Sequence, residues 1–247
     1  MGQSIAVVSG KGGTGKSSLT AGVGSALAML GQKVLCIDCD VGLRNLDLML
    51  GLSDRALMDF SDVAHGNCAL ADAVVQHPRI PRLFLLTAPL SAGRDPLSTA
   101  QFSALVAECK TLYDFVLLDS PAGMEYGFRL AVAAADRVIV VTTSDPASLR
   151  DAQRVVMELN YFPLGSEHLV VNRVRRKWLK TMHATIDDAM DTAGLPLLGV
   201  VPEDDALVLA AARGIPLLLT DTDYAAKAYR NIAKRICGIP QPLMKIK

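Results

Sequence analysis

Seven short aliphatic runs recur along the chain: Ser4–Ser9 (SIAVVS), Lys33–Asp38 (KVLCID), Leu83–Thr87 (LFLLT), Asp114–Asp119 (DFVLLD), Arg137–Thr142 (RVIVVT), His168–Asn172 (HLVVN) and Leu197–Val201 (LLGVV). Each is the length of one strand and lacks the polar alternation of a half-exposed strand, so each reads as a strand buried on both faces. Helix-length segments separate most of them. This alternation predicts parallel βαβ units with right-handed crossovers, and hence an α/β fold with a twisted, mostly parallel sheet and helices on both faces. Ligands of such sheets bind at the carboxyl ends of the strands. A chain of 247 residues with 51% hydrophobic and only 5% aromatic side chains fits one such domain with an aliphatic core.

The segment directly after the first run narrows the fold further. Gly10–Ser17 (GKGGTGKS) satisfies the pattern G-x-x-x-x-G-K-[ST] and lies between the first predicted strand and a helix predicted over Lys16–Leu30. Glycines let the backbone wrap around phosphates with its N–H groups inward, and the helix N-terminus adds donors and a favourable dipole. An ordinary glycine-rich turn would not need the whole pattern. A single-domain P-loop NTPase fold is therefore expected, with Lys16 reaching the β- and γ-phosphates and the Ser17 hydroxyl ligating Mg²⁺. The run Phe115–Asp119 ends in a carboxylate at a strand's carboxyl end, a second group for the Mg²⁺ side. Ser120-Pro121-Ala122-Gly123 offers a glycine N–H that could sense a γ-phosphate and a hinge that moves when the phosphate leaves. Lys11 is one lysine more than the pattern requires.

KGGTGKSS resembles the deviant Walker A motif of the MinD/ParA family of ATPases. Further stretches resemble the MinD branch of that family: DCDVGLRNLDLMLGL (Asp38–Leu52) its switch I, DSPAGME (Asp119–Glu125) its switch II, and VVTTSDPASLRDAQR (Val140–Arg154) the strand and helix after it. VVNRV (Val170–Val174) and GVVPEDD (Gly199–Asp205) resemble its adenine-side segments, and AYRNIAKRICG (Ala228–Gly238) its last helix. The resemblance implies an ATPase domain over residues 1–238 that binds ATP or ADP with Mg²⁺. The phosphate contacts would be Gly10, Lys11, Gly12, Gly13, Thr14, Gly15, Lys16, Ser17 and Ser18, and the metal side Ser17, Asp38 and Asp119. It implies that Lys11 crosses a dimer interface to the phosphates of the partner's ATP, where it would add a cation as charge develops. Asp40 would orient or activate the attacking water, giving Lys11, Lys16 and Asp40 as the catalytic set. Asn45 would position switch I, and Pro121 and Gly123 would belong to the moving switch II. Asn172 and Arg173 would face adenine, and Pro202, Glu203 and Asp204 would form the loop beside the base and ribose.

The implied function is a slow, Mg²⁺-dependent ATPase that homodimerises with ATP and regulates placement of the cell-division septum. Its partners would be a MinC-like division inhibitor and a MinE-like stimulating protein. The alternatives are a ParA- or FlhG-like ATPase that positions DNA or flagella, and an iron–sulfur carrier ATPase. The RNLDL of switch I favours the MinD branch.

Other signals weigh less. Lys plus Arg, 25, balances Asp plus Glu, 25, so no global attraction to nucleic acid is expected and a nucleic-acid partner is not predicted. The basic stretch Arg173–Lys180 with the sole tryptophan, Trp178, reads as a solvated loop and helix start. Cys36 and Cys39 form a C-x-x-C, but residues three apart on a strand point to opposite faces, which disfavours a shared metal. Five cysteines without scaffold spacing and no signal peptide suit a reducing cytoplasm. No apolar run reaches the roughly 18 residues of a membrane span, so membrane contact is expected only peripherally, at the inner face of the cell membrane in the ATP state. The family's C-terminal membrane helix has no clear counterpart in the tail 239–247, where Pro240 and Pro242 interrupt a short segment. Three alternatives stand: no anchor, an anchor beyond Lys247, or attachment by another surface.

Overall fold

A computed structural model describes residues 1–53, 55–91, 96–220 and 224–244. The seven aliphatic runs form strands, and a two-residue eighth joins them: β1 Gln3–Val8, β2 Val34–Asp38, β3 Val75–Gln76, β4 Leu83–Leu86, β5 Phe115–Asp119, β6 Arg137–Thr142, β7 Ser166–Val174 and β8 Leu197–Pro202. Within one sheet their order is β3-β4-β2-β5-β1-β6-β7-β8. All neighbours are parallel except β3 against β4, where Val75 opposes Leu85. β3 is too short for any periodicity to mark it. β1 sits between β5 and β6, so the chain leaves it toward one side of the sheet and later returns on the other. The crevice created by that reversal opens at the strands' carboxyl ends, where the phosphate loop begins.

Side chains alternate across the sheet and build two cores. Ala6, Val8, Ile37 and Leu118 point to one face, packed against Phe102, Phe128 and Val155. These come from the helices Thr99–Leu112, Tyr126–Ala133 and Pro146–Leu159. Ile5, Val7, Cys36 and Leu117 point to the other, packed against Leu19, Leu27 and Tyr229 of the helices Lys16–Met29 and Tyr224–Ile236. Cys36 and Cys39 thus belong to different cores, as strand alternation requires.

Between β2 and β3 lie three one-turn helices, Leu46–Leu50, Phe60–Ala64 and Leu70–Ala73. The final helix is described over Tyr224–Ile236; residues 221–223 before it lie outside the described part, as do residues 92–95. The tail returns to the body as far as Met244. The Arg235 guanidinium donates to the carbonyls of Leu198 on β8 and Gln241 in the tail, and Met244 packs on the second core. Lys245, Ile246 and Lys247 lie outside the described residues.

Candidate nucleotide site

The phosphate loop leaves β1 at Ser9 and enters the Lys16–Met29 helix through Gly15. Gly15 has φ 86°, and a Cβ there would fall 2.4 Å from the Asn172 amide nitrogen. Both the left-handed conformation and the close approach call for glycine. Lys16, at the helix start, is buried. Burial lowers its pKa, while the carboxylates of Asp119, Asp40 and Asp38 act in the opposite sense. The loop's lysine is therefore set among carboxylates from the ends of β2 and β5.

Asp38 and Asp119 are paired neighbours in the β2–β5 register. Asp119 is pushed up to about 7, first by burial and then by the charge of Asp38, against hydrogen bonds from Ser17 and Thr20. Thr20 Oγ1 donates to it at 3.0 Å. Asp38 is pushed up to about 6, chiefly by burial. Its carboxylate accepts three backbone N–H groups, from Asp40 at 2.8 Å and from Asn45 and Leu46 at 3.1 Å. Asp38 thus shapes the switch I turn and holds the start of the Leu46–Leu50 helix. Asp40 is half-buried, and burial raises its pKa while Lys16 lowers it. Switch I is pinned on its other side, where Gly42 N–H donates to Pro89 O at 3.1 Å and the Arg44 guanidinium contacts Ala88 O and Asp59.

The Ser17 hydroxyl with the Asp38 and Asp119 carboxylates is a hard-oxygen set suited to Mg²⁺, which takes few protein ligands and completes its shell with water and phosphate oxygens. Two adjacent carboxylates, both raised by burial and Asp119 also by the charge of Asp38, are the electrostatic complement of a dication. Among the described residues no group of three or more His, Cys, Asp or Glu side chains could cage a metal alone.

Lys11 takes another direction. Its Nζ lies 3.2 Å from Asp145 Oδ1 in a half-exposed pair. Asp145 also caps the Pro146–Leu159 helix by accepting from Ser148 N–H at 3.0 Å. In switch II, Gly123 N–H donates to Ser9 O at 3.2 Å, and Pro121 packs near Gly127.

At the far end of the loop a cleft of about 360 Å³ is lined by Gly15, Ser18, Asn172, Arg173, Glu203 and Asp204, among others. Asn172 donates from its amide to Thr14 O at 2.8 Å, and its Oδ1 accepts from Arg173 N–H. Arg173, in the left-handed region at φ 53°, donates to Gly13 O at 3.0 Å and pairs with Glu203 at 3.1 Å. Asn172 and Arg173 therefore buttress the loop's carbonyls as well as lining the cleft. Pro202 closes β8, and Asp204 accepts from Ala206 and Ala225 N–H groups. A second hollow, about 470 Å³, lies on the loop's outer side between Lys11, Asp145, Arg175 and Trp178.

Thr20 and Asp145 were not legible as site residues. The Asp-Pro pair at 145–146 signals a helix start, but nothing local announces its contact with Lys11. Thr20 lies one helical turn beyond Lys16, and its bond to Asp119 spans 99 positions.

A glycine loop at the pivot strand's carboxyl end, a buried lysine beneath it and carboxylates at the ends of β5 and of β2 next to it define a P-loop nucleotide-binding α/β protein. The family model of the CobQ/CobB/MinD/ParA nucleotide binding domain matches residues 5–217, and the chain belongs to that family. It is 39% identical to the septum site-determining protein MinD of Synechocystis over 99% of this chain and 92% of that protein. The MinD chain of the Aquifex aeolicus MinC:MinD cell division protein complex superposes with a TM-score of 0.91 at 37% identity, over 98% of both chains. The Pyrococcus horikoshii septum site-determining protein MinD complexed with Mg-ADP gives 0.85 at 30% identity over 96% of both.

Proposed function

We propose that this chain is an Mg²⁺-dependent ATPase of the MinD type, slow in turnover and dimeric in its working form, that acts in placing the cell-division septum. The observation that carries this reading is the divergence of two lysines within one loop. Lys16 is buried among its own chain's strand-end carboxylates. Lys11 is half-exposed and held by an ion pair of a kind worth about 0–1 kcal/mol, which a second copy's phosphates could readily displace. The names of relatives similar along the whole chain support the cellular role.

In this reading Lys16 and the loop N–H groups hold the β- and γ-phosphates, and Lys11 completes the partner's site. Asp40 orients the attacking water and accepts its proton, as its raised pKa and position beside Lys16 suit. Mg²⁺, held through Ser17, Asp38 and Asp119, would supply counter-charge to the phosphate oxygens. Asn45 sits where Asp38 fixes switch I, and Pro121 and Gly123 would let switch II report the γ-phosphate. Asn172, Arg173, Pro202, Glu203 and Asp204 would bound the base end. Residues 1–238 form the ATPase domain, with 239–247 as its tail. A MinC-like inhibitor and a MinE-like stimulating protein are the expected partners, with cytoplasmic protein moving to the membrane's inner face in the ATP state.

The test compares two alanine variants. Lys16→Ala should abolish nucleotide binding, whereas Lys11→Ala should bind nucleotide yet lose dimerisation and turnover by about a hundredfold or more, the scale of one transition-state cation or donor. Equal loss of nucleotide affinity in both would overturn the cross-dimer role of Lys11.

A further inference from the structure

The Leu46–Leu50 helix of switch I ends at Gly51, and the helix Ala206–Ala212, which begins in the base-end loop, leads into Gly214. Both glycines are left-handed, at φ 66° and 60°, and they meet back to back. A Cβ on Gly51 would fall 1.9 Å from Gly214 O, so the two backbones touch and leave no space for a side chain on Gly51. The seam beside this contact encloses only about 10 Å³ between Ser18, Met49, Leu207 and Ala211, at or below what one water needs. Met49 Sδ lies 3.7 Å from Ser18 Oγ on the phosphate-loop helix. Leu207 lines both this seam and the base-end cleft. One short helix therefore touches the base end on one side and switch I on the other, through a dry contact that leaves little room for independent movement.

We infer that Gly51 and Gly214 are positioning residues that couple the base end of the cleft to switch I through the Ala206–Ala212 helix, so that a nucleotide without a γ-phosphate already orders the segment carrying Asp40 and Asn45. This rests on the proposed nucleotide site. It differs from sensing by γ-phosphate contact because the signal enters at the base. Coupling carried by a packed path is measured segment by segment by hydrogen exchange.

The experiment tracks amide exchange in the full chain with ADP and EDTA, so that no metal draws on Asp38. In the unaltered protein, ADP should slow exchange in 202–209 and also in 46–52. In Gly51→Ala, and in Met49→Ala, which opens the seam without a clash, protection of 202–209 should persist while that of 46–52 is lost. Turnover should fall about fivefold or more with KM for ATP little changed, the lower bound of ordinary site-to-site coupling. Protection of 202–209 alone in the unaltered protein, or unaltered protection of 46–52 in both variants, would overturn the inference. Absence of ADP protection anywhere would instead overturn the nucleotide reading beneath it.

Discussion

Lys11 and Lys16 lie in one loop, yet one ends beneath the sheet's carboxyl edge and the other on a neighbouring helix cap. The pattern of the loop specifies the first placement, because only a lysine at the helix start can reach phosphates cradled by that backbone. Chemistry at Asp40 can be isolated in the same way. Its carboxylate is half-buried and feels the charge of Lys16, while the local turn is held by its backbone N–H on Asp38. Asp40→Asn should therefore leave nucleotide binding intact and lower kcat by about 10²–10⁴-fold, the usual worth of a positioned general base. Equal turnover in the Asn variant, measured by phosphate release, would remove Asp40 from the chemistry. What residue type and spacing could not convey is which partners long-range packing supplies. Asn172 illustrates this, for its amide donates to the Thr14 carbonyl, a partner 158 positions away.

At the scale of elements, the strands were legible because burial on both faces leaves an uninterrupted aliphatic signature. The short helices between β2 and β3 were not, since four or five residues carry no period and their position is set by contacts. His77 is one such contact. Buried at the end of β3, its Nδ1 accepts from Arg79 and Ile80 N–H groups at 3.1 and 3.0 Å, and its ring also bonds the Leu50 backbone at the end of the switch I helix. Accepting at Nδ1 requires neutral imidazole. Burial lowers its pKa, with Arg79 and Arg55 adding to the effect and the Leu50 bond opposing it. With the folded pKa below the unfolded value of about 6.5, the stabilisation is present above pH 6.5 and is lost as pH falls through the folded pKa. Tm should therefore drop between pH 7 and 5 with a steeper slope in the unaltered protein than in His77→Ala. At pH 7.5 that variant should be less stable by about 1–3 kcal/mol, because the buried Ile80 N–H and the part-buried Arg79 N–H lose their acceptor. Parallel Tm profiles would refute the assignment. Helix packing yields a second test. A Cβ on Gly22 would fall 2.3 Å from the Tyr229 ring, so Gly22→Ala should push the phosphate-loop helix off the final helix at a cost of about 1–3 kcal/mol, read as a lower denaturation midpoint with unchanged m.

For the whole molecule, the topology explains why one edge of the sheet does the work. Strand order reverses around β1, so the phosphate loop, Asp38 and Asp119 all emerge at one carboxyl edge. That edge also carries Lys11, which is half-exposed. In the proposed function a second copy completes the site, and dimerising would also present any weak membrane contact twice. Among the described residues no helix is long and apolar enough to cross a membrane; in the proposed cycle attachment would be interfacial, and single interfacial contacts are weak and reversible. Two linked weak contacts can exceed one by about 10²–10⁴-fold in avidity, provided that both can reach the surface together. Sedimentation with anionic liposomes should therefore carry down far more protein with a non-hydrolysable ATP analogue and Mg²⁺ than with ADP. Lys11→Ala should abolish the difference while still binding nucleotide. Equal pelleting in the two nucleotide states would separate ATP binding from membrane attachment and remove the membrane-cycling part of the proposed function. A nucleotide difference that survives in Lys11→Ala would show that attachment does not depend on the second copy.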